Sequence, residues 1–557
     1  RLGPVRRVHP PTTYAPQAEA VDSRSLVRQP EAVARGVTGR GTSVVVLDTG
    51  ADWTHPDLGA CSAPGTAGCR VRFAADMTPE DDGVSDDVRR HGTNVASIIA
   101  RVAPETDIIA LDVFQGTGRE GSDENILGGL DWTVAHRSQY DIVAVNISLG
   151  SGAFRGFCPG TSLAAGIAAV RAAGVSVVSA AGNDAMTDRI AAPACVPGVV
   201  SVGNVWTADV GTVRSAYCTD LTTGPDTITC MSNTAACLSV LAPGSLVQAG
   251  GVTLSGTSQA TPHVTAALAM LRGQSRSGSL DEVESRLLTS GRRVYDTRSK
   301  FWFPRLDIAA ALDGAVDESA PVGSLRVNGD PAWVHGGGSL VLISDVTDES
   351  NVVEMCLSEA DACDDWTTFE TARLWPVPTG RSGLTLNGWY RDRFGHVAGP
   401  LTATLGIDEE PPADGPLTVT AAGRTVTFAW SGATDALSGV AGYSIIEGFG
   451  KFPVDCIRGL VVDFGDVANG SISVRDVAAG SEHYYRHCVV DAAGNYSSGQ
   501  TAFIAIDRNA KADDAGAAGD ASNTGGFGCS CSPEGALLLT GLVGRLRRRD
   551  ARSPRPG

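Results

Sequence analysis

The chain has 557 residues, which exceeds one ordinary domain and predicts three or four folded units. Hydrophobic residues make up 43% of it, enough for globular cores, and the net charge of −18 argues against nucleic acid as a partner. No apolar run reaches the roughly 18 residues that a membrane helix needs. Because the chain starts at Arg1 without an apolar leader, we expect that the start of a precursor is missing.

Residues 1–35 are Pro- and Arg-rich and then polar, and we interpret them as a leader remnant that ends in a short stretch packed on the core. Continuous apolar runs follow, which are typical of parallel strands covered on both faces. The predicted strands are Ser43–Leu47, Ile108–Val113, Ile142–Ile147, Val175–Ala180 and Val199–Val202, and the predicted helices include Ser162–Ala173 and Leu280–Thr289. This alternation predicts an α/β domain with a parallel sheet over residues 36–312.

The second half of the chain reads as all-β. Short alternating runs between turn residues predict two small β-sandwich modules, at 321–407 and 412–508. Both modules end on a D-x-x-G-[HN] motif, with the aspartates at Asp392 and Asp491. The second half therefore contains an internal repeat.

The C-terminal part has a biased composition. Residues 509–528 are mostly Ala, Gly, Asp and Asn, which predicts a flexible linker. Residues 529–557 hold a C-S-C turn, a short apolar run and an arginine cluster. This segment resembles the sorting tag of myxobacterial surface proteins, which implies attachment to the cell envelope. A disordered basic tail is the alternative.

Thirteen cysteines bear on the compartment. None has the doubled C-x-x-C spacing of a zinc site, and close pairs favour disulfides over buried free thiols, hence an oxidising compartment. The close pairs are Cys61 with Cys69, Cys218 with Cys230, Cys356 with Cys363, and Cys529 with Cys531. We predict a disulfide between Cys61 and Cys69. Seven cysteines lie within 36–312, so at least one of them is free or pairs elsewhere.

Three segments carry residues suited to nucleophilic catalysis. Asp48 ends a buried strand in V-V-V-L-D-T-G, His91 opens an apolar helix in H-G-T, and Ser258 stands at the Gly-rich start of another helix in S-G-T-S-Q-A-T-P. A serine hydroxyl needs a base, histidine is the base suited to neutral pH, and a carboxylate orients its ring. Taken singly, each residue has a structural alternative, such as a turn aspartate or an N-cap serine.

A fourth element is A-A-G-N after the predicted strand Val175–Ala180. The side-chain amide of Asn183 can donate a hydrogen bond to a developing oxyanion.

In their order and motifs, these residues resemble the subtilisin family of serine peptidases over 36–312. The resemblance implies a triad of Asp48, His91 and Ser258, with Asn183 as the oxyanion donor. It further implies a strand that pairs with the substrate backbone at Ser148, Leu149 and Gly150, and a specificity pocket lined by Ala180, Ala181 and Gly182. Polypeptide substrates, a secreted monomer and no required cofactor are expected with it.

The sequence does not predict a defined metal site. Asp57 in H-P-D-L matches a calcium ligand of the family, but its partners are missing from the sequence. The acidic run Glu80–Asp87 leaves two alternatives open, a structural calcium loop or a solvated loop.

Two functions compete at this point. The first is a serine endopeptidase with accessory β-modules. The second is a cell-surface adhesion protein with an inactive peptidase domain. An intact set of four site residues favours the first.

Overall fold

The computed structural model describes residues 22–79, 87–115, 120–466, 469–474 and 477–511. The predictions for residues 1–21, for all but Asp87 of the acidic run, for the linker beyond residue 511 and for the sorting tag fall outside these residues. None of the helices in the described ranges is long and apolar enough to cross a membrane.

The helices lie in the first part of the described chain. In chain order they are α1 (Ser23–Leu26), α2 (Gln29–Ala34), α3 (His91–Val102), α4 (Asp123–Tyr140), α5 (Ala164–Ala172), α6 (Thr257–Gln274), α7 (Leu280–Thr289) and α8 (Ile308–Leu312), with a 3₁₀ turn at Pro56–Leu58.

The strands of the same part are β1 (Ser43–Asp48), β2 (Val71–Asp76), β3 (Asp107–Asp112), β4 (Phe114–Gln115), β5 (Glu120–Gly121), β6 (Ile142–Ile147), β7 (Ser151–Phe154), β8 (Ser176–Ala180), β9 (Ile190–Ala192), β10 (Val200–Val205), β11 (Val213–Arg214), β12 (Thr219–Asp220), β13 (Val240–Pro243), β14 (Val247–Ala249), β15 (Val252–Leu254), β16 (Arg292–Tyr295) and β17 (Trp302–Arg305).

A nine-stranded sheet organises this part. Its order is β16-β17-β13-β10-β8-β6-β1-β3-β2, and all neighbours are parallel except β16 and β17. The register sets Asp48 beside Asp112 and Leu47 beside both Leu111 and Ile147. The carboxyl ends of these strands therefore meet at one edge, where open α/β sheets build their sites.

The apolar run of β1 is buried on both faces, as its composition predicts. Val44 and Val46 pack with the buried side chains of α3 and α6, whereas Val45 and Leu47 pack with those of α4 and α5. Because strand side chains alternate, one continuous apolar run serves both layers. The parallel α/β domain expected from the sequence is thus confirmed.

Most predicted elements of this part are present with small shifts at their ends. The strand at Ile142–Ile147 and the helix at Leu280–Thr289 have the predicted bounds. The predicted helix Ser162–Ala173 is shorter, since α5 spans Ala164–Ala172. Residues 22–35 form α1 and α2, and Val27 and Ala32 are fully buried in the core, as expected for a packed stretch.

The second half of the described chain contains strands only. They are β18 (Val322–Val327), β19 (Trp333–Val334), β20 (Ser339–Thr347), β21 (Val352–Ser358), β22 (Thr367–Thr368), β23 (Ala372–Pro376), β24 (Gly383–Asp392), β25 (Val397–Ile407), β26 (Leu417–Ala422), β27 (Thr425–Trp430), β28 (Val440–Gly448), β29 (Leu460–Gly465), β30 (Gly470–Val474), β31 (Glu482–Asp491) and β32 (Gln500–Ala505).

These strands form two pairs of sheets. The first pair is β18-β20-β23 with β19-β25-β24-β21-β22, and the second is β26-β27-β30 with β29-β28-β31-β32. Leu342 of one sheet and Leu386 of the other share a buried cluster in the first pair, as Phe428 and Tyr485 do in the second. We call these two units module 1 and module 2. Each is all-β with a core of its own.

Module 1 packs directly on the α/β domain. The loop after β24 inserts Arg393, whose guanidinium donates to the carbonyl oxygen of Cys237 at 2.5 Å, and Phe394 packs against a buried core cluster of the α/β domain. Phe301 of the α/β domain stacks at a tilt on Phe369 of module 1, with ring centroids 6.1 Å apart. The two units thus share apolar contacts as well as polar ones.

Five disulfides are formed among the described residues. They are Cys61–Cys69, Cys158–Cys195, Cys218–Cys230, Cys356–Cys363 and Cys456–Cys488. The predicted Cys61–Cys69 bond is confirmed, and Cys237 is the unpaired thiol expected among the seven cysteines of 36–312. The sequence did not identify the pairing of Cys158 with Cys195, whose 37-residue separation gives no local signal.

Candidate active site

The acid of the site is placed by the sheet. Asp48 is the last residue of β1 and only 1% exposed. Its Oδ1 accepts hydrogen bonds from the Thr49 backbone N–H at 2.8 Å and lies 2.7 Å from Nδ1 of His91. A carboxylate so held fixes the ring's orientation, because a neutral histidine then carries its proton on Nδ1 and leaves Nε2 as the base.

The histidine is placed by a close backbone approach. His91 is the first residue of α3, and a Cβ built on the next residue, Gly92, would lie 2.0 Å from the carbonyl oxygen of Gly50. Only glycine allows this contact, so H-G brings the ring against Asp48. Burial opposes the charged ring, but the charge and hydrogen bond of Asp48 outweigh it and raise the pKa of His91 above its ordinary value.

The serine is placed by a helix start. Ser258 is the second residue of α6, and its hydroxyl donates to the carbonyl oxygen of Ser148 at 3.0 Å. Ser258 lines the same cleft as His91. Among the described residues, however, its hydroxyl bonds to Ser148 and not to His91. The structure therefore joins Asp48 to His91 directly and brings Ser258 only to the same cleft. Catalytic hydrogen bonds often form only once substrate is bound.

The side-chain amide of Asn183 is held by its oxygen. Its Oδ1 accepts from the backbone N–H of Thr257 at 2.9 Å and from the Thr257 hydroxyl at 3.2 Å. The amide nitrogen is then the group left for the cleft, which Asn183 lines together with Ser258. This orientation suits a donor to an oxyanion beside the serine. Thr257 was missed as a positioning residue, although it lies inside the G-T-S motif.

The cleft has a volume of about 880 Å³. Among the predicted substrate contacts, five line it: Ser148, Leu149, Gly150, Ala180 and Gly182. Ala181, the residue after β8, is not among the lining residues; its side chain is 0% exposed and packs in the core. The prediction for the Ala181 side chain is therefore corrected.

Two further lining residues had no signal in the sequence motifs. Arg89 lies two residues before His91, and Phe114 lies in β4, far from the three motifs in the chain; both line the cleft. The positive charge of Arg89 acts on His91 in the opposite sense to Asp48, lowering the pKa of the ring.

The surroundings of Asp57 do not suit a metal ion, because hydrogen-bond donors already occupy its carboxylate. The carboxylate pairs with the guanidinium of Arg101 at 2.8 Å and accepts the backbone N–H of Gly250 at 3.0 Å. Arg101 also donates to the carbonyl oxygen of Gln248 at 2.5 Å. A fixed side-chain cation thus already neutralises Asp57 and ties it to the β14–β15 hairpin.

Comparison with known proteins bears on the whole α/β domain. Residues 39–304 match the model of the subtilase family of peptidases. Subtilisin BL of Lederbergia lenta is 32% identical over 277 residues, which cover 47% of this chain and 88% of that protein. The chain belongs to the subtilase family. Subtilisin of Bacillus pumilus is 29% identical over 280 residues, covering 47% of this subtilase and 88% of the relative.

One solved structure is also similar to this subtilase. The crystal structure of a cold adapted subtilisin-like serine proteinase matches with 28% identity and a TM-score of 0.37, over 48% of this chain and 89% of that one. The family places the chain among the subtilisin-type serine endopeptidases, which are hydrolases acting on polypeptides.

Proposed function

We propose that this subtilase cleaves peptide bonds through an acyl-enzyme on Ser258, with Asp48 and His91 completing its triad. The observation that carries the proposal is the 2.7 Å contact between His91 and the buried Asp48, at the rim of the cleft that Ser258 lines. Rotation of the Ser258 side chain away from Ser148 would bring its hydroxyl to the free ring nitrogen of His91. His91 then takes the hydroxyl proton as Oγ attacks, and returns it to the leaving amine.

Charge that develops on the carbonyl oxygen requires donors. We assign this role to the side-chain amide of Asn183 and to the backbone N–H of Ser258, which lies in the first turn of α6 where helical N–H groups have no intrahelical partner. Asp48 stabilises the imidazolium that forms at the same moment.

The substrate would lie along the cleft as an extended chain. Ser148, Leu149 and Gly150 connect β6 to β7 at the cleft wall, and their backbone is the proposed partner for the substrate backbone. Ala180 and Gly182 would bound the pocket for the residue before the scissile bond.

The remaining units suggest where the enzyme works. The disulfides support a secreted enzyme, since such bonds persist in oxidising compartments. We propose that modules 1 and 2 are immunoglobulin- or fibronectin-like β-sandwich domains that carry the peptidase at the cell surface, and that the C-terminal residues 529–557 act as a sorting tag to the outer membrane. The enzyme is proposed to act as a monomer without a required cofactor.

The alternative function is a surface adhesion protein with an inactive peptidase domain. The intact Asp48–His91 pair and the fixed amide of Asn183 favour the active enzyme, because an inactive domain is expected to have lost at least one of these residues.

A fluorophosphonate label tests the proposal, because it reacts only with an activated serine. We expect the full chain to be labelled on Ser258 and Ser258→Ala to lose both label and peptidase activity, by about 10⁶-fold in turnover, the size established for the subtilisin triad. Ser151→Ala, a nearby serine of the cleft wall, is the matched control and should label normally. A folded Ser258→Ala protein that keeps a few percent of the activity would contradict the assignment.

A further inference from the structure

A cluster of acidic side chains lies where module 1 meets the peptidase domain, away from the cleft. Ligand atoms of Asp317, Asp392 and His396 all lie within 4.8 Å of one another. Asp317 is 6% exposed and Asp392 is 1% exposed. Two buried carboxylates at this distance repel each other unless a cation lies between them.

Asp317 provides an independent sign of a missing partner. Its Oδ1 accepts hydrogen bonds from the backbone N–H and hydroxyl of Ser319, at 3.1 and 3.0 Å. Its Oδ2 is buried and has no hydrogen-bond partner among the described residues. A buried carboxylate oxygen without a partner is costly, so it calls for a ligand that the side chains do not supply.

A third carboxylate adds to the negative charge. Asp348 is half-buried, and its Oδ1 accepts hydrogen bonds from the backbone N–H and the hydroxyl of Ser350 at 2.7 and 2.8 Å. The guanidinium of Arg293 lies nearby, but it donates to the carbonyl oxygen of Glu349 and to Oδ1 of Asn351 rather than to these carboxylates. The positive partner provided within the cluster is His396, whose Nδ1 is 2.6 Å from Oδ2 of Asp392.

A related acidic group lies where module 2 begins. Carboxylate oxygens of Asp408, Asp435 and Asp491 lie within 4.8 Å of one another. In sequence, D-E-x-x-P starts at Asp317 and at Asp408, T-D ends at Asp348 and at Asp435, and D-x-x-G-[HN] starts at Asp392 and at Asp491. Module 2 thus brings three aspartates together at its N-terminal joint, and module 1 has an aspartate at each equivalent sequence position.

The repeat also identifies the ligand chemistry. Asn495 replaces His396 in module 2 and likewise bonds its aspartate, with Nδ2 2.7 Å from Oδ2 of Asp491. An asparagine cannot act as an imidazole ligand, so the feature common to both joints is carboxylate oxygen. Oxygen-only sites with several carboxylates suit Ca²⁺ rather than Zn²⁺.

We propose that Asp317 and Asp392 bind a calcium ion that fastens module 1 to the peptidase domain, with Asp348, the sequence counterpart of Asp435, as the third carboxylate. The backbone N–H of Asp317 donates to Oγ of Ser285 on α7 at 2.5 Å, so this ligand is anchored on the peptidase. Asp348 and Asp392 belong to module 1, and Asp392 directly precedes the inserted Arg393. An ion bound here therefore bridges the two units.

Calcium titration of the full chain carrying Ser258→Ala, which cannot digest itself, tests the proposal. After chelator treatment, we expect binding in the range of about 10⁻⁴–10⁻³ M that is usual for extracellular modules, together with a higher unfolding temperature. Asp348→Asn should lose one bound ion or weaken it by about tenfold or more. Asp364→Asn changes the same charge at an exposed site of module 1 and should behave like the parent.

The sign of the stability change separates a metal site from a structural cluster. Without calcium, Asp348→Asn removes repulsion and should unfold at the same temperature as the parent or above it; with calcium it should unfold below the parent. Equal calcium stoichiometry and affinity in the parent and in folded Asp348→Asn would overturn the proposal. No calcium binding by the parent at about 10 mM, well above the usual range, would do the same.

Two measurements remain decisive if Asp348→Asn fails to fold. His396→Asn copies module 2 and should keep calcium binding; loss of binding together with a preference for Zn²⁺ would overturn the calcium assignment. Anomalous scattering from crystals of the parent grown with calcium should locate the ion between Asp317 and Asp392. An ion found only elsewhere refutes the site.

Discussion

Ser258 and Ser148 hold each other by two reciprocal hydrogen bonds. The Ser258 hydroxyl donates to the Ser148 carbonyl oxygen at 3.0 Å, and the Ser148 hydroxyl donates to the Ser258 carbonyl oxygen at 2.8 Å. Asn146 supports this pair by donating from Nδ2 to the Ser148 hydroxyl at 2.9 Å. The start of α6 is thereby pinned to the end of β6, so the proposed nucleophile needs only a side-chain rotation to approach His91.

Ser148→Ala should destabilise the peptidase domain while leaving the triad complete. The substitution removes the bond to the Ser258 carbonyl and leaves the buried Nδ2 of Asn146 unpaired, which costs about 1–3 kcal/mol. Denaturant unfolding of the inactivated enzyme measures the change. Ser151→Ala, at an exposed position of the same wall, should fall within about 0.5 kcal/mol of the parent. Equal stability of the two variants would show that the reciprocal pair is not a structural element.

Asn183→Ala should lower turnover far more than it weakens substrate binding. The proposed amide donor meets charge that exists only in the transition state, and such a donor is worth about 10²–10³ in kcat. Thr257→Val removes one of the two bonds that hold the amide but keeps the backbone N–H, so it should cost less than about tenfold. Steady-state kinetics distinguish the two effects. An unchanged kcat in folded Asn183→Ala would remove this residue from the catalytic list.

The pH profile should report His91. The base form of histidine is neutral, and the pKa of His91 lies above its ordinary value, so kcat/KM should rise with pH through a midpoint above about 6.5. The Arg89 charge lowers this pKa and the Asp87 charge raises it. Arg89→Gln should therefore move the midpoint to higher pH, and Asp87→Asn should move it to lower pH. Shifts of the same sign in both variants would contradict this electrostatic account.

Removing module 1 should lower the stability of the peptidase domain, although module 1 contributes none of the four proposed catalytic residues. A chain ending at Leu312 would expose Phe301 and would lose the contacts that Arg393 and Phe394 make with the peptidase domain. Thr368 of module 1 also abuts the loop that follows β7, since a Cβ on Gly156 would lie 1.7 Å from its hydroxyl oxygen.

We therefore expect the chain ending at Leu312 to unfold at a lower temperature and to autolyse faster than one ending at Ile407. Thermal unfolding of the two, both carrying Ser258→Ala, measures the contribution of module 1 without self-digestion. If their unfolding temperatures agree within error, module 1 is only a neighbour of the peptidase domain.

The parallel sheet and the placement of Asp48, His91 and Ser258 at element ends could be predicted from the amino-acid pattern alone. These depend on local pattern: a continuous apolar run specifies a strand buried on both faces, and H-G or G-T-S specifies a backbone that approaches closely at the start of a helix. The Cys61–Cys69 disulfide could also be predicted from local sequence, because its two cysteines are only eight residues apart in the chain.

The tertiary fold sets which distant groups meet, and these contacts could not be predicted from the amino-acid pattern. It paired Asp57 with Arg101, turned Ala181 away from the cleft, directed the Ser258 hydroxyl to Ser148 and joined Cys158 to Cys195. It also brought Asp317 and Asp392 together at one joint from separate segments. Such contacts depend on how the helix and sheet layers pack against one another. The residues next to each group in the chain do not specify that packing.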